Sequence, residues 1–336
     1  MKLLCVLLAS HEIVLGMWLT WRAATERALY GENGFYLRER PSGHFRTSVS
    51  ASAVFAEAVL RLLSEVDAEL GHPAELDLVD VGAGEGVLVT QVLAAAGPAL
   101  RDRLRVTAVD LSPRPPGLPE RVRWSRSLPA KITGLAVANE WLDNVPLDVV
   151  EQTPDGPRLV MVDVRTGEER VDGPLRRADL AWLERWWPLP CVGARAEIGR
   201  PRDEAWASVV ARLTRGRAVA VDYAHPVDNR PPHGTLTGYR DGAVVPPVPD
   251  GSCDITAHVA LDACAEAGRR AGAISTTLST QREELRALGV TGARPPLELA
   301  RTDPSGYLRA LARASEEAEL IDPAGLGGFG WLSQSR

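Results

Sequence analysis

The sequence lacks three features that would place it at once in a common class of protein. No apolar run reaches the roughly 18–20 residues that a membrane-spanning helix requires. The net charge of −6 and the isoelectric point near 5.6 argue against the basic face typical of a nucleic-acid-binding protein. The four cysteines are scattered, which favours neither a zinc site nor a disulfide framework. We therefore expect a cytoplasmic protein with no metal, no nucleic-acid partner and no membrane segment.

The amino terminus contains a short apolar run, MKLLCVLLAS, which has some character of a signal peptide. His11 and Glu12 interrupt it, and no convincing cleavage site follows. We interpret residues 1–16 as an upstream extension before a natural start at Met17, and we expect residues 1–19 to lie outside the fold.

Residues 76–97 combine a strand, a glycine turn and a helix. LDLVDV is a nearly all-apolar strand, typical of the centre of a parallel sheet. Gly82, Gly84 and Gly86 form the turn, and the helix VLVTQVLAAA follows, with Gly97 placed to end it. This arrangement points backbone N–H groups and a positive helix end at a ligand beside the carboxyl edge of the sheet.

The spacing of the glycines indicates which ligand the turn would bind. A dinucleotide fingerprint, GxGxxG, would need a glycine at Val87, whereas the pattern here is GxGxG with Asp80 two residues before the first glycine. An acid beside the turn suits the cationic amino acid and sulfonium of S-adenosylmethionine. Asp110 ends the next strand, LRVTAVD, where it can accept hydrogen bonds from a ribose diol. A tight turn without a ligand, and an NAD-dependent oxidoreductase, are the weaker alternatives.

Strands and helices continue to alternate along the chain, which predicts a doubly wound, Rossmann-like α/β sheet. LDVVEQ and PRLVMVDV are predicted to form a hairpin, and ADLAWLERWW and RDEAWASVVARL to form two inserted helices. We divide the chain into three parts. Residues 20–75 are a lid-like helical segment, and residues 76–150 and 215–336 together are the core. Residues 151–214 are an inserted hairpin and helical lobe. Because ligands bind outside the carboxyl ends of the strands, Asp80, Asp110, Glu140 and Asp222 should face one site.

Several motifs, taken together and in order, resemble the MidA-like S-adenosylmethionine-dependent methyltransferases. They are TWRAATERALYGENGFY (20–36), GHFRTS (43–48), VDVGAGEG, ANEWLDNVP (138–146), VDY (221–223) and DITAHV (254–259). The resemblance covers roughly residues 20–333 and implies a class I methyltransferase fold with an inserted, largely helical lobe. The family includes the mitochondrial complex I assembly-factor arginine methyltransferase, which implies a protein substrate, an arginine of a complex I subunit in that relative.

The sequence departs from the family pattern at several positions. His44 stands where GDFxTS has an aspartate, Asp80 replaces a glutamate, and Ala224 replaces the glycine of VDYG. The segment after Asp110 is short and rich in proline, so the usual helix between the second and third strands is not expected. These differences leave open how the adenine side of the pocket is closed.

The motif ANEWLDNVP places two acids just beyond a buried strand, where methyl transfer would occur. Carboxylates are suited to hold a guanidinium, because they accept its N–H groups in pairs. Glu140 is the first candidate for this clamp and Asp143 the second, while Asn139 can orient either donor or substrate. Asp143 could instead cap a turn, and Glu140 could be a solvated loop acid.

The predicted site has two parts. The residues predicted to bind the cofactor are Asp80, Gly82, Ala83, Gly84, Gly86, Asp110, Leu111, Asn139, His44 and Thr47. Those predicted to bind substrate are Tyr36, Glu140, Asp222, Tyr223 and His258, although His258 could be structural within a helix AHVALDACAEAG that Asp254 or Thr256 would cap. We expect a protein substrate and allow for a homodimer; the alternatives are a small-molecule methyltransferase and a non-catalytic assembly factor.

Overall fold

The structure is a computed structural model that describes residues 17–38 and 48–336. It contains a seven-stranded main sheet in the order β14-β15-β10-β5-β2-β3-β4. Its strands are β2 (Leu76–Val81), β3 (Leu104–Val109), β4 (Val122–Ser125), β5 (Ile132–Asn139), β10 (Leu213–Asp222), β14 (Ser275–Thr280) and β15 (Gly330–Ser335). The five strands from β10 to β4 are parallel, and β15 runs antiparallel to both of its neighbours. The predicted α/β class, with a mostly parallel sheet, is confirmed.

Helices cover both faces of the main sheet. They are α1 (Trp21–Tyr30), α2 (Phe35–Arg38), α3 (Ser48–Ala51), α4 (Ala53–Glu69), α5 (Val87–Ala95), α6 (Pro98–Arg103), α7 (Arg177–Trp186), α8 (Arg200–Arg212), α9 (Leu261–Arg270), α10 (Gln281–Ala287), α11 (Leu297–Thr302) and α12 (Pro304–Leu320). Side chains of β2 alternate between the two cores: Leu78 packs with α4 and α5, and Val79 packs with α8 and α9. All six residues of β2 are therefore buried, as its apolar sequence predicts.

Two smaller sheets stand beside the main one. The first has the order β1-β7-β6-β9, with β8 paired to β7, and the second has the order β12-β11-β13. Their strands are β1 (Trp18–Thr20), β6 (Asp148–Thr153), β7 (Gly156–Asp163), β8 (Glu169–Pro174), β9 (Arg195–Ile198), β11 (Thr237–Arg240), β12 (Ala243–Val245) and β13 (Asp254–Thr256). No helix in the described parts of the chain is long and apolar enough to cross a membrane.

Two expectations about domain boundaries need correction. Trp18 and Leu19 do not lie outside the fold, because they pair with Asp163 and Val162 of β7. The inserted segment 151–214 is not largely helical, because it places as many residues in strands as in helices. The hairpin β6–β7 extends into a five-stranded sheet, and α8 packs against α9 in the helical layer of the main sheet. The apolar pattern of the sequence could not predict the pairing of β1 with β7 or the packing of α8 on α9, because in both cases the two partners lie far apart in sequence.

The helix predicted for AHVALDACAEAG forms, but it begins later than expected. Asp254–Thr256 is strand β13, paired with β11, and α9 begins only at Leu261. Asp254 and Thr256 therefore cap no helix, and His258 lies in the connection before α9. The pairing with β11 overrides the local helical pattern. As expected, no helix forms between β3 and β4.

Candidate active site

A cleft of about 580 Å³ lies at the carboxyl ends of β2, β3 and β5. It brings the glycine turn, the end of β3 and the motif after β5 together at one edge of the sheet, as parallel strands require. Of the predicted residues, the lining includes Tyr36, Asp80, Gly82, Ala83, Gly84, Asp110, Leu111, Asn139 and Glu140. It also includes residues that the sequence analysis did not select, among them Tyr30, Arg38, Glu85, Arg114, Arg126, Trp141 and Asn144.

Backbone hydrogen bonds to β3 fix the conformation of the glycine turn. The N–H groups of Gly82 and Ala83 both donate to the carbonyl oxygen of Val109, at 2.9 and 3.1 Å. Gly82 has a φ of +74°, and a Cβ there would lie 2.6 Å from Cδ1 of Trp141. Gly84 has a φ of +54°, but a Cβ there would meet no atom within 4 Å. The first glycine is thus required by packing, and the second leaves free space beside the cleft.

Asp110 links the turn to the segment that follows β3. Its Oδ2 accepts a hydrogen bond from the N–H of Gly84 at 2.8 Å, and its Oδ1 accepts one from the N–H of Ser112 at 2.8 Å. Each carboxylate oxygen keeps further acceptor capacity. The carboxylate is therefore held in one orientation at the cleft wall, as binding a ribose diol requires.

Asp80 places a second carboxyl group at the bottom of the cleft. Its side chain is buried, and burial followed by the charge of Asp110 raises its pKa to about 7. A buried carboxylate beside another acid is unfavourable without a cation. A cationic ligand in the cleft would restore the charged form of Asp80.

Glu140 occupies a strained position directly after β5. Its φ is +50°, a left-handed conformation that non-glycine residues seldom adopt. Its Oε1 accepts hydrogen bonds from the backbone N–H of Ser48 at 2.8 Å and from Nδ2 of Asn139 at 2.9 Å. Burial raises the pKa of Glu140 to about 7, Asp143 adds to the increase, and the hydrogen bonds from Ser48 and Asn139 oppose it. The strain and the hydrogen bonds together aim one carboxyl group at the cleft.

Ser48 is itself held by a residue that is distant in sequence. Its Oγ donates to Oε1 of Gln281 at 3.0 Å, and Gln281 is fully buried, with its Nε2 donating to the carbonyl of Leu320 at 3.0 Å. Contacts with α10 therefore set the position of the N–H group that holds Glu140. Pattern reasoning did not reveal this connection, because Ser48 and Gln281 are 233 residues apart.

Asp143 has a different environment, although it lies only three residues after Glu140. Its Oδ2 accepts a hydrogen bond from Oγ1 of Thr256 at 2.7 Å, its Oδ1 is buried without a partner, and the residue does not belong to the cleft lining. The Asp222 carboxylate accepts the N–H groups of Leu142 and Asp143 at 2.9 and 3.2 Å. Burial raises the pKa of both acids. Together they shape the turn after Glu140 from behind the cleft.

Two tyrosines close the other side of the cleft. The hydroxyl of Tyr36 donates to Oδ1 of Asp254 at 2.8 Å, and the hydroxyl of Tyr30 donates to the carbonyl of Asn144 at 3.1 Å. Nδ2 of Asn144 donates to the same Asp254 oxygen at 3.2 Å. The carboxylate of Asp254 thus accepts hydrogen bonds from two side chains that line the cleft. Its pKa is raised to about 7, chiefly by burial.

The remaining predicted residues lie elsewhere. Asp222, Tyr223 and His258 are absent from the cleft lining, and Tyr223 stacks on His258 with ring centres 5.5 Å apart. Gly86 is the N-cap residue of α5, where a Cβ would lie 2.5 Å from Cδ1 of Leu118. The predictions for His44 and Thr47 fall outside the described residues. Among the residues that are described, no group of three or more potential ligands is arranged to hold a metal ion.

The cleft fits S-adenosylmethionine on three structural grounds. The turn at Gly84 leaves space that a Cβ would occupy, Asp80 is a buried acid in need of a cation, and Oδ1 of Asn139 is buried without a partner. A sulfonium and an amino group supply the missing cation and donors, and Asp110 suits the ribose. These residues would hold the cofactor.

Comparison with known proteins points to the same chemistry. Residues 56–279, more than half of the chain, match a family described as "Putative S-adenosyl-L-methionine-dependent methyltransferase". No curated protein matches the chain.

Two solved structures from Burkholderia thailandensis are similar to the chain over most of its length. One is described as a superfamily member and "likely methyl transferase", bound to S-adenosyl-homocysteine; it is 29% identical, has a TM-score of 0.80, and the match covers 96% of this chain and 88% of that one. The other is the native structure of an uncharacterized protein of the same superfamily, 30% identical with a TM-score of 0.78 and the same coverage. The chain belongs to the MidA-like family of class I S-adenosylmethionine-dependent methyltransferases.

Proposed function

We propose that this methyltransferase transfers the methyl group to an arginine side chain of a protein. The resemblance to the mitochondrial complex I assembly factor makes a subunit of respiratory complex I the first acceptor to test. The S-adenosyl-homocysteine bound by the Burkholderia protein supports S-adenosylmethionine as the donor.

One observation carries the choice of arginine: Glu140 and four described polar residues near it offer acceptors to the cleft, although the lining also contains the donor side chains of Arg38, Arg114, Arg126 and Trp141. The side-chain N–H or O–H groups of Asn139, Asn144, Tyr30 and Tyr36 donate to other protein atoms. What these residues leave for the acceptor is the Glu140 carboxylate and the two phenolic oxygens, since the unpartnered Oδ1 of Asn139 is assigned to the cofactor. A guanidinium has five N–H donors and no acceptor, so it satisfies such a wall, whereas a phosphate or carboxylate would not.

The cofactor supplies a methyl group on a positively charged sulfur, which is open to attack by a nitrogen lone pair. The protein then has to align that nitrogen and exclude water, and such alignment can contribute about 7–11 kcal/mol to lowering the barrier. Ser48 and Asn139 both donate to Oε1 of Glu140, so among the described residues Oε2 is the oxygen left for the substrate. A guanidinium bound there has its rotation restricted by the carboxylate.

Glu140 can also manage the proton that the reaction releases. The attacking nitrogen loses one proton when its bond to the methyl carbon forms, and the methylated guanidinium stays positively charged. With a pKa near 7, Glu140 can receive that proton and pass it to solvent. Because the guanidinium binds the charged carboxylate, we expect affinity for the acceptor to rise as the pH increases through about 7.

The proposal is tested by incubating the protein with methyl-labelled S-adenosylmethionine and a lysate, followed by mass spectrometry of the labelled products. We expect label on arginine in a protein. The variant Glu140→Gln should lower this transfer by two or more orders of magnitude while cofactor affinity stays within a few-fold. Glu298→Gln, at an exposed position of α11, is the matched control and should transfer normally.

Two outcomes would overturn the proposal. Label found on a metabolite and not on protein would make the chain a small-molecule methyltransferase. Full transfer by the Glu140→Gln variant would remove the carboxylate from the reaction, whatever the acceptor.

A further inference from the structure

The two edges of the main sheet differ in how they are protected. At one edge, β4 is surrounded by the exposed arginines Arg121, Arg123 and Arg126, and charged side chains of this kind discourage pairing with another strand. At the other edge, β14 and the residues before it read GAISTTLST, with no charge and no proline. Two large apolar side chains are exposed here: Ile274 is 82% exposed and Leu278 46%. Within residues 17–38 and 48–336 no strand pairs with this edge of β14, and an edge without charged side chains is suited to pair with another strand.

The hydrogen-bond register shows which backbone groups are available at this edge. Gly216 and Arg336 exchange both of their backbone hydrogen bonds, at 2.9 and 3.0 Å, so the even-numbered residues of β15 bond to β10. The odd-numbered residues of β15 therefore face β14, and the N–H of Gln281 donates to the carbonyl of Phe329 at 2.8 Å in agreement with this alternation. Thr276 and Leu278 consequently direct their N–H and C=O groups away from β15, towards the open edge.

We propose that the chain forms a two-fold homodimer in which β14 pairs antiparallel with β14 of a second copy, centred on Thr277. In this register Thr276 of one protomer lies opposite Leu278 of the other, and each such pair exchanges two hydrogen bonds. The two pairs use all the outward backbone groups of Thr276 and Leu278. The exposed apolar side chains meet as well, because Ile274 and Leu278 lie diagonal to Leu278 of the partner on the same face.

The edge is complementary to itself, and this argues for a second copy in preference to another partner. Its own residues supply equal numbers of donors and acceptors, and its uncharged side chains create no repulsion when the strand meets its copy. Pairing β14 with β4 of another copy would instead bring Leu278 against the arginine-rich edge. A single strand pair buries little surface, so we expect a dissociation constant in the range of about 1–100 μM.

Sedimentation velocity over a range of protein concentrations tests the proposal. The unaltered chain should shift from monomer to dimer with increasing concentration. Leu278→Lys and Leu278→Glu should each weaken self-association by about tenfold or more, since like charges then lie across the two-fold axis. An equimolar mixture of the two variants should recover the dimer, because the opposite charges then face each other. Val244→Lys is the matched control on strand β12, where Val244 is 67% exposed, and should leave the dimer unchanged.

Three results would overturn the proposal. The first is a chain that remains monomeric at the highest concentration. The second is a dimer that Leu278→Lys and Val244→Lys affect equally, which would place the interface elsewhere. The third is a monomer in which the Thr276 and Leu278 amides resist hydrogen exchange at every concentration, which would mean that another segment of the same chain covers the edge.

Discussion

The two sides of the cleft are built in different ways. The cofactor side comes from one continuous stretch: Asp80, the glycine turn and Asp110 lie within 31 residues and are joined by backbone hydrogen bonds. The acceptor side collects its residues from four separate parts of the chain: Tyr30 and Tyr36, Ser48, Glu140 and Asn144, and Asp254. The first side is held by local geometry and the second by long-range contacts.

This difference separates two functions. The cofactor is common to the family, and a strand, turn and helix are sufficient to place its binding groups. The acceptor side determines what is methylated, and it depends on how the amino-terminal helices dock on the core. We therefore expect substitutions on the cofactor side to abolish donor binding, and those on the acceptor side to affect transfer or stability.

The largest effect is expected from Gly84→Val on the cofactor side. A side chain here occupies free space beside the cleft, so affinity for S-adenosylmethionine should fall by about two orders of magnitude or more, measured by isothermal titration calorimetry. The backbone cost of a positive φ, about 1–2 kcal/mol, must be separated from this effect. Gly193→Val has the same kind of φ, +85°, and open space outside the cleft lining, so it should lose stability but bind the cofactor normally.

A smaller effect on transfer is expected from Asp143→Asn. Its carboxylate contacts Thr256 behind the cleft, and an amide oxygen can accept the same hydrogen bond. Transfer should stay within about tenfold of the unaltered protein, in contrast to Glu140→Gln. A loss as large as that of Glu140→Gln, measured with the same labelled donor, would restore Asp143 as a second clamp and contradict the division between the two acids.

The smallest expected effect is on how the free energy of unfolding changes with pH. Asp80, Glu140 and Asp254 each have a folded-state pKa of about 7, above the value of about 4 expected when unfolded. The folded state therefore binds more protons than the unfolded state between these values, and the free energy of unfolding without cofactor should fall as the pH rises from 5 to 7.5. Asp254→Asn should reduce this slope by up to about 1.4 kcal/mol per pH unit, seen in thermal unfolding at several pH values.

The control for the pH experiment is Asp67→Asn. Arg103 lowers the pKa of Asp67 to about 2, so Asp67 contributes stability that is present above pH 4 and lost towards pH 2. His72, whose Nδ1 lies 2.8 Å from Oδ2 of Asp67, is replaced by asparagine in both proteins that are compared. In that background Asp67→Asn should lower stability uniformly between pH 5 and 7.5 without changing the slope. An unchanged slope in Asp254→Asn would show that the folded protein does not hold Asp254 in its protonated form.

Individual residues show how far pattern reasoning reaches. The strand 76–81, the glycine turn and Asp110 were predicted in their observed places, because apolar runs and glycines act over a few residues. Glu140 was predicted at the cleft because it follows a buried strand, and it does line the cleft. Its support from Ser48 and Gln281 was not predictable. Tyr30 shares a motif with Tyr36 but was not selected, since only the folded structure shows that both line the cleft.

The sequence by itself determined the class of fold, the cofactor side of the cleft and the family. The class of fold and the cofactor side depend on hydrophobic periodicity and on glycine conformations, both of which are local properties of the chain. The family was identified by the resemblance of several motifs in their order along the chain. The tertiary structure alone decided that Glu140 faces the cleft while Asp143 faces Thr256, and that Asp254 lies in a strand. A side chain's direction after a strand depends on which distant groups accept or donate to it, and those partners become neighbours only when the chain has folded.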